Sequence, residues 1–359
     1  MFGNNEIMKI FFLMKYDSFV TTLTPVIRHI ISLGIEPEVA LLVLPGKNWV
    51  TSKVTNQLEG ISYEILTRKQ VRSRAKRHYD VAVIGTVGGR SLHRFIRKFR
   101  KESPATRIIT GYAGMLLNNN YRGFLHGLRG RLGSNIIWTP GEISRQKVLS
   151  SGLIRQGERV MTSGIPRFDN LFKLSMTWAN DRDRTQILFI EQPTFPKRKH
   201  DRFKLAKFLC DLARVESECT VVLKPRFSKR IPHTHAPKHL MQEMIETMPD
   251  TPANLVVSYE HLYDHLPQTK YAISISSTGA VESMLVGIDT FFIHDFCGKK
   301  NKYGSNDFKD AGSVVSMDRL LKQERSDVNL DFARSIFRFD GLNTERLANL
   351  VLYNQMEKP

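Results

Sequence analysis

The chain has 359 residues, 53 Lys plus Arg against 35 Asp plus Glu, and a formal net charge of +18. At 41% hydrophobic and 25% charged it has the composition of a folded protein, which excludes general disorder, and the length suits two domains that each bury a core. Three scattered cysteines, Cys210, Cys219 and Cys297, exclude a disulfide framework or a paired-cysteine zinc site and read as packing residues in a reducing compartment.

Lys9 to Met14 reads as a strand, Tyr16-Asp17-Ser18 as a turn, and Thr24 to Leu33 as a helix stopped by Gly34. The apolar run Ile10 to Met14 is far short of the roughly 20 residues that span a bilayer, and no basic n-region precedes it. A cytoplasmic protein is the expectation. Val39 to Leu44, ended by Pro45-Gly46, is a continuous apolar run of the kind buried on both faces of a parallel sheet. Ile61 to Leu66, Asp80 to Ile84, Arg107 to Thr110 and Asn135 to Trp138 continue the strands, with helices between them.

The pattern then restarts. Arg159 to Ser163 leads into Gly164-Ile165-Pro166-Arg167-Phe168-Asp169, and a polar stretch from Trp178 to Thr185 precedes a strand at Gln186 to Ile190. Helix Arg202 to Arg214 is followed by strands at Thr220 to Leu223, Leu255 to Ser258, Tyr271 to Ser274 and Thr290 to Ile293. Strands alternating with helices imply two doubly wound, Rossmann-like α/β domains facing each other across a cleft. Residues 1–165 form the first and 166–359 the second, with the last helix allowed to cross back. Ligands of such sheets sit at the carboxyl ends of the strands.

Three of those strand ends carry phosphate-type chemistry. Ser276-Ser277-Thr278 closes a strand and opens a helix, where hydroxyls, backbone N–H groups and the helix dipole favour an anion; the same residues also make a plain N-cap. Glu282 lies about one turn further on and either faces the same site or compensates the dipole. Lys224-Pro225-Arg226 fixes a point charge and a guanidinium fork after Val221-Val222-Leu223, or is simply a basic loop. Gln192, in Glu191-Gln192-Pro193-Thr194, holds the equivalent place after Ile190. In the first half Asp17 is the only carboxylate in the turn after the first strand, suited to a general base or to a capping role. His93 and Glu142 are the alternatives for that base. Gly85 to Gly89 is a weak phosphate-loop signal, and no metal-binding motif appears.

Charge is uneven along the chain. Residues 51–150 hold 19 basic and 5 acidic side chains, whereas residues 251–300 hold 3 and 5. Arg90, Arg94, Arg97 and Lys98 line one face of a helix whose other face carries Leu92, Phe95, Ile96 and Phe99. Such a face suits an anionic acceptor or an anionic membrane surface, or is a plain solvated face. With Arg68, Lys69, Arg72, Arg74, Lys76, Arg77, Arg100 and Lys101, the cluster also allows a nucleic-acid or polyanion binder. Little aromatic interleaving and no RNA-binding motif make nucleic acid the weaker reading.

The sequence resembles a GT-B-fold glycosyltransferase, closest to a bacterial family linked with capsule and sialic-acid loci. The resemblance is carried by Gly164 to Asp169, Val221 to Arg226, Asn254 to Ser258, Ser276 to Ser283 and Asp295-Phe296, with a looser match over Tyr16-Asp17-Ser18. It implies a nucleotide-sugar donor, probed first as CMP-linked and sialic-acid-like, with no metal or other cofactor. A surface glycan or glycolipid would be the acceptor, at the inner face of the plasma membrane. Sialyltransferases of this fold hold the CMP part with a His-Pro and a Ser-Ser or Ser-Thr motif. Ser276-Ser277-Thr278 matches the second, but Lys224-Pro225 stands where His-Pro would, and a lysine is the poorer proton donor at neutral pH. A CDP-alcohol donor delivering an alcohol phosphate to a cell-surface polymer is the alternative within the same class.

Overall fold

In the computed structural model, described for residues 8–44, 46, 49–116, 121–178, 184–226, 237–297 and 305–354, the chain divides into two compact units. Unit 1 is Met1–Lys173 with Ser335–Pro359, and unit 2 is Leu174–Arg334. The division therefore falls after Lys173, later than the 165/166 boundary the sequence suggests, and the last 25 residues belong to the first unit. Of the polar stretch Trp178 to Thr185, residues 179–183 lie outside the described residues, as does Pro45.

The first unit begins β1 Ile10–Met14, α1 Asp17–Ser32, β2 Glu38–Leu42, α2 Ser52–Gln57, β3 Glu64–Leu66, α3 Arg68–Arg74 and β4 Val81–Gly85. It continues with α4 Arg90–Glu102, β5 Arg107–Gly111, α5 Tyr121–Arg129, β6 Ile136–Thr139, α6 Glu142–Leu149, β7 Arg159–Thr162 and α7 Phe168–Ser175. The second unit runs β8 Gln186–Ile190, α8 Lys199–Val215, β9 Thr220–Lys224, α9 Met241–Glu246, β10 Leu255–Val257 and α10 Leu262–His265. Then come β11 Thr269–Ser274, α11 Thr278–Leu285, β12 Thr290–Ile293, β13 Val314–Val315, α12 Met317–Leu321 and α13 Leu330–Ile336. The returning helix is α14, Asn343–Leu352. The chain leaves the first unit within α7 and comes back within α13.

Both sheets are parallel and doubly wound. The orders are β3-β2-β1-β4-β5-β6-β7 and β10-β9-β8-β11-β12-β13. In each, the winding reverses beside the first strand, so the switch points lie between β1 and β4 and between β8 and β11. The apolar runs follow from burial on both faces. Ile10, Phe12 and Met14 enter one core while Phe11 and Leu13 enter the other, and all five are buried. Each such side chain contributes about 1.5–3 kcal/mol.

Helix α1 starts at Asp17, seven residues before the Thr24 start read from sequence, and it contains Pro25. Burial of Phe19, Val20, Leu23, Val26 and Ile27 carries the helix through the proline. Helix α14 joins the same core through Leu347, Leu350 and Val351. Its N-terminus is held by Asp169, which is 7% exposed and accepts from the Asn343 and Thr344 amides at 3.0 and 2.7 Å. Gly164 has φ +79, and a Cβ there would stand 1.9 Å from Asn343 Oδ1. The Gly164-to-Asp169 segment is thus the dock of the C-terminal helix, which is why the first unit extends past residue 165.

Candidate functional site

The second unit places its phosphate-type residues on one sheet edge. β8 is flanked by β9 and β11, so Lys224, which ends β9, and Ser276, just past β11, lie on strands two spacings, or about 10 Å, apart. The edge is tied together by short bonds. Ser274 Oγ donates to the Ile190 carbonyl at 2.7 Å, the Ser277 amide to Ser274 Oγ at 3.2 Å, and the Glu191 amide to the Lys224 carbonyl at 3.1 Å. Gln192 Nε2 approaches the Ser276 carbonyl at 3.5 Å.

Ser277 is the N-cap of α11 and accepts from the Gly279 amide at 3.3 Å. The structure bears out the N-cap reading of this residue, and the cap fixes the first turn of α11 directly after β11. A Cβ on Gly279 would meet Leu262 Cδ2 at 3.1 Å and Ile190 Cγ2 at 3.2 Å, so glycine lets that turn sit against the end of β8. Ser276 is nearly buried, Ser277 and Thr278 are half-buried, and Arg226 is exposed. Glu282 is buried in α11 and lies beyond its first turn, so dipole compensation is not its role.

Sequence reasoning missed the support of this edge. Glu191 and Arg202 form an ion pair at 2.6 Å with both side chains almost fully buried. Arg202 also donates to the carbonyls of Pro196, Gln192 and Pro193. Pairing with Glu191 and bonds to three carbonyls offset the desolvation of this buried guanidinium, and they tie it to the loop that carries Gln192. His265 was also missed. It is buried on α10, and its Nε2 lies 2.9 Å from Ser258 Oγ at the end of β10.

In the first unit, Asp17 is the first residue of α1 rather than a turn residue, and its Oδ1 accepts from the Ser18 amide at 2.9 Å. Tyr16 before it has φ 77 and ψ 152, a conformation that costs a non-glycine residue about 1–3 kcal/mol. Across the switch point, Gly88 and Gly89 carry φ 96 and 82 between β4 and α4. That loop rests on Arg131, which is 1% exposed and has no acidic partner among the described residues. Its five N–H groups go to carbonyls of Thr86, Val87, Gly111 and Gly127, and its guanidinium stacks on Tyr112 at 4.0 Å. Burial lowers its pKa. His93 Nδ1 and Tyr112 Oη are buried without a hydrogen-bond partner among the described residues, and burial raises the Tyr112 hydroxyl pKa.

Glu142, the other alternative base, is bound to Arg145 at 2.9 Å and Gln146 at 2.5 Å. Burial alone would raise its pKa, but the bonds from Gln146 and Arg145 outweigh it and lower it. An ion-paired carboxylate is the weaker base.

The basic stretch is partly neutralised. Arg74 is buried between Glu38 at 2.8 Å and Glu64 at 2.5 Å, Arg77 also binds Glu38, and Arg100 is turned onto the Gly133 carbonyl and Asn135. Lys98, expected among the acceptor-binding cations, pairs with Glu102 one turn away. Arg90, Arg94 and Arg97 remain exposed on α4, with Leu92, Phe95, Ile96 and Phe99 buried beneath them. A cavity of about 370 Å³, lined by Lys9, Ile10, Glu36, Glu38, Arg77 and Tyr79, opens at the amino ends of β1 and β2. It lies at the edge opposite the switch point, and Glu38 already binds Arg77 and the Tyr79 hydroxyl, so it is not the site.

Residues 33–338 match the family described as "Putative glycosyltransferase (DUF6716)". The chain belongs to that family. No curated protein matches the sequence. Solved structures similar to this glycosyltransferase-family chain include one described as "putative UDP-N-acetylglucosamine 2-epimerase from Listeria monocytogenes", at TM-score 0.64 and 12% identity over 98% of each chain. The glycotransferase of kitacinnamycin is similar at 0.60 and 13%, over 98% of this chain and 100% of its own. The wall teichoic acid polymerase TagF with CDPG is similar at 0.57 and 12%, over 96% and 88%. These likenesses show the fold, two Rossmann-like units of GT-B type. Among the described residues no helix is long and apolar enough to cross a membrane.

Proposed function

We propose that this member of the glycosyltransferase family binds the nucleotide end of an activated donor at the carboxyl edge of its second sheet. The observation that carries the reading is the switch point between β8 and β11. There the capped first turn of α11, the Ser276-Ser277-Thr278 hydroxyls, Gln192 and the Lys224-Arg226 pair all stand at the carboxyl ends of neighbouring strands. Positive groups fixed where a phosphate departs stabilise the charge that develops in the transition state. The likeness of the fold to an epimerase named for a UDP-sugar and to a polymerase described with CDPG supports an activated nucleotide as substrate class.

The acceptor is read on the first unit, as a surface glycan or glycolipid. Asp17 at the β1–β4 switch point takes the proton of its hydroxyl, in a displacement that the resemblance makes inverting for a CMP-linked donor. Arg90 and Arg94 stand in the first turns of α4, where no acidic residue offsets the positive end of the dipole. That local field suits an anionic acceptor or an anionic membrane surface, with Arg97 continuing the face.

A thermal-shift screen with CMP, CDP, UDP and GDP tests the reading, since a ligand of the native state raises the transition by mass action. A sialic-acid-like donor requires CMP to give the largest shift, and a CDP-alcohol donor requires CDP. No shift with any of the four contradicts the donor site.

A further inference from the structure

Three residues that the donor reading leaves unused form a continuous chain on the second sheet. Gln186 starts β8, Ser258 follows β10, and His265 ends α10 between them. His265 Nδ1 lies 3.0 Å from Gln186 Oε1, and His265 Nε2 lies 2.9 Å from Ser258 Oγ. An amide oxygen only accepts, so Nδ1 carries the hydrogen. In the neutral ring Nε2 is then an acceptor, and the Ser258 hydroxyl must donate to it. The Glu260 amide also donates to Ser258 Oγ, at 3.2 Å.

The chain ends beside Lys224. The Ser258 amide donates to the Leu223 carbonyl at 3.0 Å, so Ser258 stands next to Lys224 on the neighbouring strand. Strand alternation puts both on one face: Leu223 and Val257 pack into the core on the other side, together with Phe189. Gln186 shares the face of Lys224, two alternations from Ile190. Burial lowers the His265 pKa, Glu260 and Asp264 oppose that, and Lys224 adds to it. Glu260 comes within 3.7 Å of Nε2 and is mostly exposed, while Asp264 is engaged by the His261 amide.

We propose that Ser258 and His265 form a proton-coupled anion subsite, in which an anionic oxygen of the donor phosphate is held between Lys224 and the Ser258 hydroxyl only when His265 takes up a proton. This rests on the donor reading above and adds residues to it. The hydrogen-bond count dictates the coupling. With neutral His265 the only Ser258 hydrogen is committed to Nε2. When Nε2 takes a proton from solvent, it donates to Ser258 Oγ, which then accepts from His265 and from the Glu260 amide. The two lone pairs are filled and the O–H is released to the phosphate. An imidazolium two hydrogen bonds away adds positive charge beside Lys224. By linkage, an anion that favours the protonated state binds more tightly as pH falls.

The test is calorimetric titration of the full chain with the tightest binder among CMP, CDP, UDP and GDP, from pH 5.5 to 8, in two buffers of different ionisation enthalpy. Wild type is expected to take up protons on binding and to bind about tenfold more tightly, beyond the phosphate's own titration, at the acid end. Ser258→Ala and His265→Gln share that ligand titration and are expected to lose the excess, while still binding near pH 8. Ser258→Ala keeps the buried ring, so it serves if His265→Gln fails to fold. Glu260→Gln is expected to retain the excess; its loss there would make Glu260 the partner of the proton and overturn the role of Ser258. Unchanged pH dependence in Ser258→Ala, or binding without excess proton uptake, overturns the subsite and leaves the donor site standing. Absence of binding by all four nucleotides removes the donor reading first, and the subsite with it.

Discussion

Asp169→Ala gives the most direct test of how the first unit is built. The carboxylate is buried and accepts from the Asn343 and Thr344 amides at 3.0 and 2.7 Å, holding the start of α14. Charge-assisted bonds of this kind contribute about 1.5–3 kcal/mol each, and losing a cap alone costs roughly 0.5–2. The two bonds share one acceptor group and are not additive, so about 3 kcal/mol is the expected loss. That is a large share of the roughly 5–15 kcal/mol a domain has. Hydrogen exchange resolved on α14 is the suitable assay, because it isolates the opening of this helix from unfolding of the second unit. Protection of the Leu347 to Leu352 amides should fall about 100-fold. Asp169→Asn, which keeps one oxygen acceptor, should lose clearly less. A fall under about threefold in the alanine variant would refute the reasoning and leave the start of α14 held by its apolar packing alone.

Asp17→Asn should leave nucleotide binding unchanged and lower transfer by about two to four orders of magnitude, and retained turnover would reduce Asp17 to a helix-start residue. Replacing Arg90, Arg94 and Arg97 with Gln should weaken binding to anionic vesicles or acidic oligosaccharides in sedimentation, and wild-type binding should fade between about 0.1 and 0.5 M salt. Equal binding of wild type to neutral vesicles would leave the α4 face as plain surface. Asp340 provides a pH test: burial raises its pKa, but bonds from Arg346 and Arg338 outweigh this and lower it. A folded pKa below the unfolded one gives stability that is present above the unfolded carboxylate value and lost as pH falls through the folded value. The destabilisation of Arg346→Met should therefore be full at pH 7 and shrink below about pH 4 in urea midpoints, and an unchanged difference would contradict the pair's role.

Strands were legible because a parallel strand buried on both faces must be apolar throughout, as in Phe11-Phe12-Leu13 or Ile187-Leu188-Phe189. β13, with only Val314 and Val315, is too short to leave such a run. The start of α1 was hidden by Pro25, whose local penalty the tertiary burial of five apolar side chains overrides. Partners far apart in sequence were invisible: Glu38 with Arg74, Asp169 with Asn343, and Glu191 with Arg202 follow from topology and from no local pattern. The same holds for His265, which reads as one more histidine until β10 and β8 bring Ser258 and Gln186 to its two nitrogens. Ser276-Ser277-Thr278 was legible as a strand end opening a helix, because capping chemistry is local.

The central claim is that a nucleotide phosphate binds at the switch point of the second sheet. A crystal structure with the tightest-binding nucleotide tests it most directly. Phosphate oxygens are expected within hydrogen-bond distance of the first turn of α11, at Ser277 or Thr278, and of Lys224. A nucleotide bound on the first unit, or at the amino ends of the strands with this edge left empty at saturation, would contradict it.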